Sequence, residues 1–140
     1  MVVQLIYIST IIGHAVITDD QFIIGARIRN AARGITSVML VTDSCYVHCI
    51  EGEREIVSDL FIKIAQDTRH KNQTILRFNE VQKREFGDFS AAISELSEFN
   101  VNDNYNTVWP AIEIDITSIT SAQAMSLLRR VAAHYRANQI

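Results

Sequence analysis

The sequence has 140 residues, 48% hydrophobic and 21% charged, with a formal net charge of −3. That length holds one hydrophobic core and that balance excludes a disordered chain, while the mildly acidic charge with scattered basic residues argues against nucleic acid as a principal partner. No stretch approaches the ~18 apolar residues of a membrane span, and two cysteines make no disulfide framework, so a cytoplasmic protein with no membrane association is expected.

Val2–Ser9 predicts a strand, and the stretch with Gly13 up to Val16 a loop. Thr18-Asp19-Asp20-Gln21 has the spacing of a capping box, which starts a helix from about Asp19 to Arg33, with Gly34 as a left-handed stop. Thr36–Thr42 and Cys45–Glu51 are β-rich runs joined by Thr42-Asp43-Ser44, a hairpin turn without the usual glycine. Between Arg54 and Arg69, Ile56, Leu60, Phe61, Ile64 and Ala65 recur at helical spacing. Gln73–Val81 and Phe86–Ile93 are weaker strand candidates. The order βαββαββ predicts an α+β fold, a ferredoxin-like sheet with two helices on one face. Ser94–Asn106 turns polar and reads as a linker. Thr120-Ser121-Ala122-Gln123 is a second capping box, and Ala124, Leu127, Leu128, Val131 and Ala132 form an apolar stripe on the helix that follows. That stripe must be buried on the open face of the sheet or on a partner chain. The expected organisation is a domain over residues 2–93 and a C-terminal linker and helical extension over 94–140.

Within the first strand, Tyr7 shares a face with Val3 and Leu5, as a core tyrosine bonded to backbone would. Asn30 follows Ala26 and Ile23 by one and two turns, so an amide falls on the buried stripe of the first helix. It either caps the helix end near Gly34 or contacts a ligand. His48 shares a strand face with Tyr46 and Ile50, and structural imidazoles outnumber functional ones in such places. Lys63, Asp67 and His70 fall on one helical face, but most such faces carry only a solvated ion pair worth under ~1 kcal/mol. Cys45 and Cys49 lie about 13 Å apart along one strand, beyond disulfide reach, and read as packing residues. His14, His48, His70 and His134 lack the paired spacing of a zinc site, and no Walker loop, nucleotide glycine fingerprint or serine elbow is present. Neither a metal site nor an enzyme is expected.

Five segments together, Leu5-Ile-Tyr-Ile-Ser9, Ala26-Arg-Ile-Arg-Asn30 with Gly34-Ile-Thr36, Ile50-Glu-Gly-Glu53, Leu60-Phe61 and Gln66-Asp-Thr-Arg-His70, resemble the BLUF domain, a sensor of blue light using FAD. The resemblance runs from about Val2 to about Ile93. It implies a flavin, FAD or FMN, between the two helices, with signalling through an unidentified protein partner or a homo-oligomer. It assigns Tyr7 as electron and proton donor and Asn30 as hydrogen-bond partner of the ring's polar edge. It places Asp67, Arg69 and His70 beneath the ring and its side chain, and Lys63 near the phosphate.

The sequence also departs from the family pattern. His48 stands where the family has a glutamine that bridges tyrosine and flavin, and Ser37 where it usually has glycine. Phe89 and Ala91 stand at the tryptophan and methionine positions of the output strand. A glutamine carries acceptor and donor on one carbon and re-pairs by rotation or tautomerisation, which imidazole does not repeat. The resemblance therefore implies a flavin-binding photoreceptor with photochemistry altered by His48 and Ala91. The second reading is a BLUF-derived interaction module that has lost flavin and any light response.

Overall fold

The computed structural model describes residues 1–13, 20–95 and 114–138. β1 (Val2–Ile11), α1 (Asp20–Arg33), β2 (Thr36–Val41), β3 (Cys45–Glu53), α2 (Arg54–Ala65), β4 (His70–Glu80), β5 (Ala92–Glu95) and α3 (Ser121–Asn138) follow in chain order. The strands form one sheet ordered β4-β1-β3-β2-β5, antiparallel except for the parallel β2/β5 pair. This is the expected ferredoxin-like arrangement with one strand added at the edge.

The alternation of β3 explains the two cores. Cys45, Val47 and Cys49 point to one face, where α3 lays Ala124, Leu127, Leu128, Val131 and Ala132 over Ile6, Ile8, Val38 and Leu40. Full burial of a Leu or Val is worth about 1.5–3 kcal/mol, so the stripe closes the chain's own sheet rather than staying bare. On the other face α2 packs Ile56, Val57, Leu60, Phe61 and Ile64 over Val3, Leu5, Tyr7, Ile35 and Ile50. Helix α1 is different. Phe22 and Ile23 touch the cluster of Met39, Val41, Tyr46 and Ile93, yet no residue of α1 is fully buried.

Local chemistry sets the connections. Gly34 takes φ 67 at the end of α1, a left-handed conformation that glycine adopts without strain. The glycine-free hairpin is held by Thr42, whose hydroxyl accepts from the amides of Ser44 (3.2 Å) and Cys45 (3.0 Å). The second capping box forms as expected: Gln123 N donates to Thr120 Oγ1 (3.1 Å) and Thr120 N to Gln123 Oε1 (2.9 Å). Thr18 and Asp19 of the first capping box lie outside the described residues, as does most of the polar stretch 94–106.

Three expectations are corrected. β1 continues through Thr10 and Ile11 instead of ending at Ser9, because Thr10 still pairs with Cys45. α2 ends at Ala65, so Asp67 lies in the following turn and His70 opens β4, leaving only Lys63 on the helix. The run from Phe86 is not a strand; β5 begins at Ala92. The amides of Glu85 and Phe86 are taken at 2.8 Å by the carboxylate of Glu51, which is fully buried, and an amide so engaged cannot enter a ladder.

Candidate functional site

Between α1 and α2, above the sheet, an open cleft of about 330 Å³ remains, within the range of small-molecule sites. Tyr7 and His48 lie directly opposite in the β1/β3 register, on the face toward this cleft. The Tyr7 hydroxyl and His48 Nδ1 are hydrogen-bonded at 2.9 Å. Burial raises the phenol's proton affinity far above the usual tyrosine range, so Tyr7 is a neutral donor. Burial, aided by neighbouring His70, pushes the His48 imidazole down to about 3, so the ring is neutral, with a donor on one nitrogen and an acceptor on the other.

Of the two sequence readings of Asn30, the side-chain cap is not formed. The helix end is closed by backbone, Ile35 N donating to Asn30 O at 2.9 Å, while the side-chain amide crosses to Ser90 O (2.7 Å) and Ser37 Oγ (3.3 Å). Asn30 is therefore a cleft-lining amide and not a side-chain cap. At the other end, Asp67 accepts a fork from the Arg69 guanidinium and also the Arg69 amide at 2.9 Å. That pairing, opposed by partial burial, lowers the Asp67 carboxyl to about 2. The Arg69 guanidinium lies 5.2 Å from the Phe22 ring centroid, tying the start of β4 to α1. His70 Nε2 donates to Ile64 O at 2.6 Å and Nδ1 pairs with Ser9 Oγ at 2.7 Å, so protein atoms occupy both ring nitrogens. Lys63 lines the cleft from α2 and Arg29 from α1; neither enters an ion pair among the described residues.

A narrow apolar slot with an amide at one end, a phenol on its floor and cations at its sides suits a planar heteroaromatic group carrying an anionic tail. One sequence profile matches residues 2–92, that of sensors of blue-light using FAD. The chain belongs to the BLUF family. A 56-residue segment is 34% identical to the photoactivated adenylate cyclase subunit beta of Euglena gracilis, covering 40% of this chain and 6% of that protein. A 71-residue segment is 31% identical to the alpha subunit, 49% of this chain and 7% of that one. The chain thus aligns with only a small part of either relative's length. Among solved structures, the dark state of the BLUF protein BlrB shares the fold, with TM-score 0.75 and 24% identity over 96% of both chains. The photo-activated state of BlsA matches with TM-score 0.71 and 25% identity over 94% of both chains. A bacterial light-regulated adenylyl cyclase matches with TM-score 0.72 and 26% identity over 96% of this chain and 36% of that one.

As a BLUF domain the chain is a flavin-binding blue-light sensor, and the family's domains sense light rather than catalyse. Its cleft fits the flavin. The two helices leave room for it, α1 lacks a fully buried residue where a ligand would cover it, and the Tyr46 hydroxyl on the cleft wall is buried without a partner among the described residues. Among the described residues no helix is long and apolar enough to cross a membrane, and no His, Cys, Asp or Glu cluster could hold a metal.

The cleft gathers Tyr7, Asn30, His48, Lys63, Asp67, Arg69, His70 and Ala91. Phe89 is a correction. It lies before β5 and packs on the opposite face, edge-on to Tyr135 at 5.8 Å with the Arg136 guanidinium 5.1 Å above it, because its backbone carbonyl is held by Ser37 N. Sequence reasoning missed Phe22, Ala26, Met39, Tyr46 and Ile93 as lining residues. Tyr46 and Met39 were accessible to it: Tyr46 shares the strand face of His48 by period two, and Met39 pairs with His48 across the β2 and β3 strands.

Proposed function

We propose that this BLUF domain holds its flavin in the α1/α2 cleft with Tyr7 as the electron and proton donor, and that His48 and Ala91 alter its photochemistry. The observation that carries the reading is the 2.9 Å bond from the Tyr7 phenol to His48 Nδ1. When bound, the flavin absorbs blue light and takes up an electron. A phenol that has lost an electron is a strong acid, and the acceptor in hydrogen-bond reach of Tyr7 is the neutral imidazole. His48 receives that proton where the family's glutamine would re-pair its amide.

Asn30, steadied by Ser37 and Ser90, offers its amide to the polar edge of the ring. Asp67 and Arg69 wall the far end as a paired unit, and His70 supports that wall, its nitrogens already engaged. Lys63 meets the phosphate as a point charge, without the fork an arginine would supply. Ala91, buried where the family has methionine, leaves space beside the ring instead of a flexible filler. Output passes through contacts with a protein partner or a second copy, in the cytoplasm, and not through catalysis. Side chains leave the cleft open, which speaks against the flavin-free alternative.

An absorption spectrum of the purified protein, dark and under blue light, tests this. A yellow protein with a weak or kinetically unusual reversible red shift supports it. A colourless protein that gains no flavin from added FAD or FMN ends it.

A further inference from the structure

Tyr46 is 3% exposed, yet its hydroxyl has no hydrogen-bond partner among the described residues. Leaving a phenol O–H buried and unpaired costs more than any ordinary packing choice, since the same volume could be filled by phenylalanine at no such cost. Its surroundings do not relieve it. The ring stands edge-on to His70 at 5.9 Å, the Asp67 and Arg69 side chains satisfy each other, and Met39, Val41 and Ile93 are apolar.

Tyr46 lies on the cleft wall, and its place along the strands says which part of a ligand it meets. Tyr46 is opposite Val41, and Ser37 is opposite Ile50. The Ser37/Asn30 end and the Tyr46 end are thus four residues apart, about 13 Å along the sheet. A tricyclic ring whose polar edge is at Asn30 presents only its dimethylbenzene edge in the opposite direction, which has no hydrogen-bonding atom. The hydroxylated chain that leaves the ring is the remaining polar group.

We infer that Tyr46 is a ligand-positioning residue whose hydroxyl hydrogen-bonds the ribityl chain of the bound flavin. This rests on the reading of the cleft as the flavin site, and it adds a contact and a preference. The site distinguishes a flavin bearing a sugar-alcohol chain from the bare ring, and part of that preference belongs to one oxygen atom.

The experiment is a fluorescence titration of flavin-free protein with riboflavin and with lumiflavin, which has the ring and a methyl group in place of the chain. Both are measured for wild type and Tyr46→Phe. The ratio of the two dissociation constants is compared within each protein, so a partly misfolded variant does not distort the outcome. The expected result is a wild-type preference for riboflavin that shrinks by about 3- to 10-fold in Tyr46→Phe, with lumiflavin affinity unchanged. An unchanged ratio, or equal loss of both ligands, overturns the inference while leaving the flavin site standing. Failure of wild type to bind either ligand overturns the site itself, and this inference with it.

Discussion

Tyr7 and His48 are cross-strand partners joined at 2.9 Å, and a neutral imidazole keeps its hydrogen-bond donor and its acceptor on different nitrogens. The two functions lie on separate edges of a rigid ring, so turning it cannot exchange them in place as turning an amide does. His48→Gln is therefore expected to enlarge the reversible red shift under blue light relative to wild type, read in light-minus-dark difference spectra. A flavin-loaded His48→Gln protein with no larger shift would refute this account of the altered site.

Removing the phenol oxygen should remove the light response altogether. Tyr7→Phe also deprives His48 Nδ1 of its partner, at a stability cost of about 1 kcal/mol, small enough for the domain to stay folded. Persistent cycling in that variant would move the donor elsewhere, with Tyr46 the first alternative.

Acid should weaken the fold through His48. Its proton affinity falls from about 6.5 in the unfolded chain to about 3 in the folded one, so between those values the unfolded chain binds the extra proton. Stability contributed by the neutral ring is complete above about 6.5 and declines as pH falls toward 3. At pH 5 the loss is at most about 2 kcal/mol, less to the extent that water in the cleft screens the ring. Asp67, lowered to about 2, adds a smaller loss only below about 4, discounted because it and Arg69 are partly exposed. Urea midpoints at pH 7.5 and pH 5 should separate less in His48→Gln than in wild type; equal separations would contradict the assignment.

Glu51 is a buried carboxylate that takes donors from Gln4 (3.0 Å) and from the Glu85 and Phe86 amides (2.8 Å each). Glu51→Ala leaves two backbone amides without partners and should cost about 2–4 kcal/mol in chemical denaturation. A loss below about 1 kcal/mol would show that the loop is held by other means.

Much of this was legible in the chain. Period-two alternation placed Tyr7 with Val3 and Leu5 and His48 with Tyr46 and Ile50, and capping chemistry located α3, because both signals are local. The Phe86–Ile93 run misled because its first amide, that of Phe86, bonds to Glu51, 35 residues away in sequence. Phe89 misled for the same reason: its orientation is set by the Ser37 amide and the ring of Tyr135, both distant in sequence. The helical spacing of Lys63, Asp67 and His70 assumed a helix that stops at Ala65, so the cleft brings them together through a turn that periodicity does not encode.

Flavin should complete the packing of α1. With no fully buried residue of its own, that helix should exchange its amides faster than α2 in flavin-free protein and slow markedly when ligand is added. Hydrogen exchange read by mass spectrometry checks this; equal protection of α1 with and without flavin would count against it.

Neighbouring residues 89 and 90 are committed to opposite sides of the sheet: the Ser90 carbonyl to Asn30 at 2.7 Å, and the Phe89 ring to Tyr135 of α3 at 5.8 Å. Only one planar peptide unit separates their Cα atoms, and that unit does not stretch. The cleft amide and the last turns of the C-terminal helix are therefore moored to adjacent links of one backbone, one on either surface of the sheet.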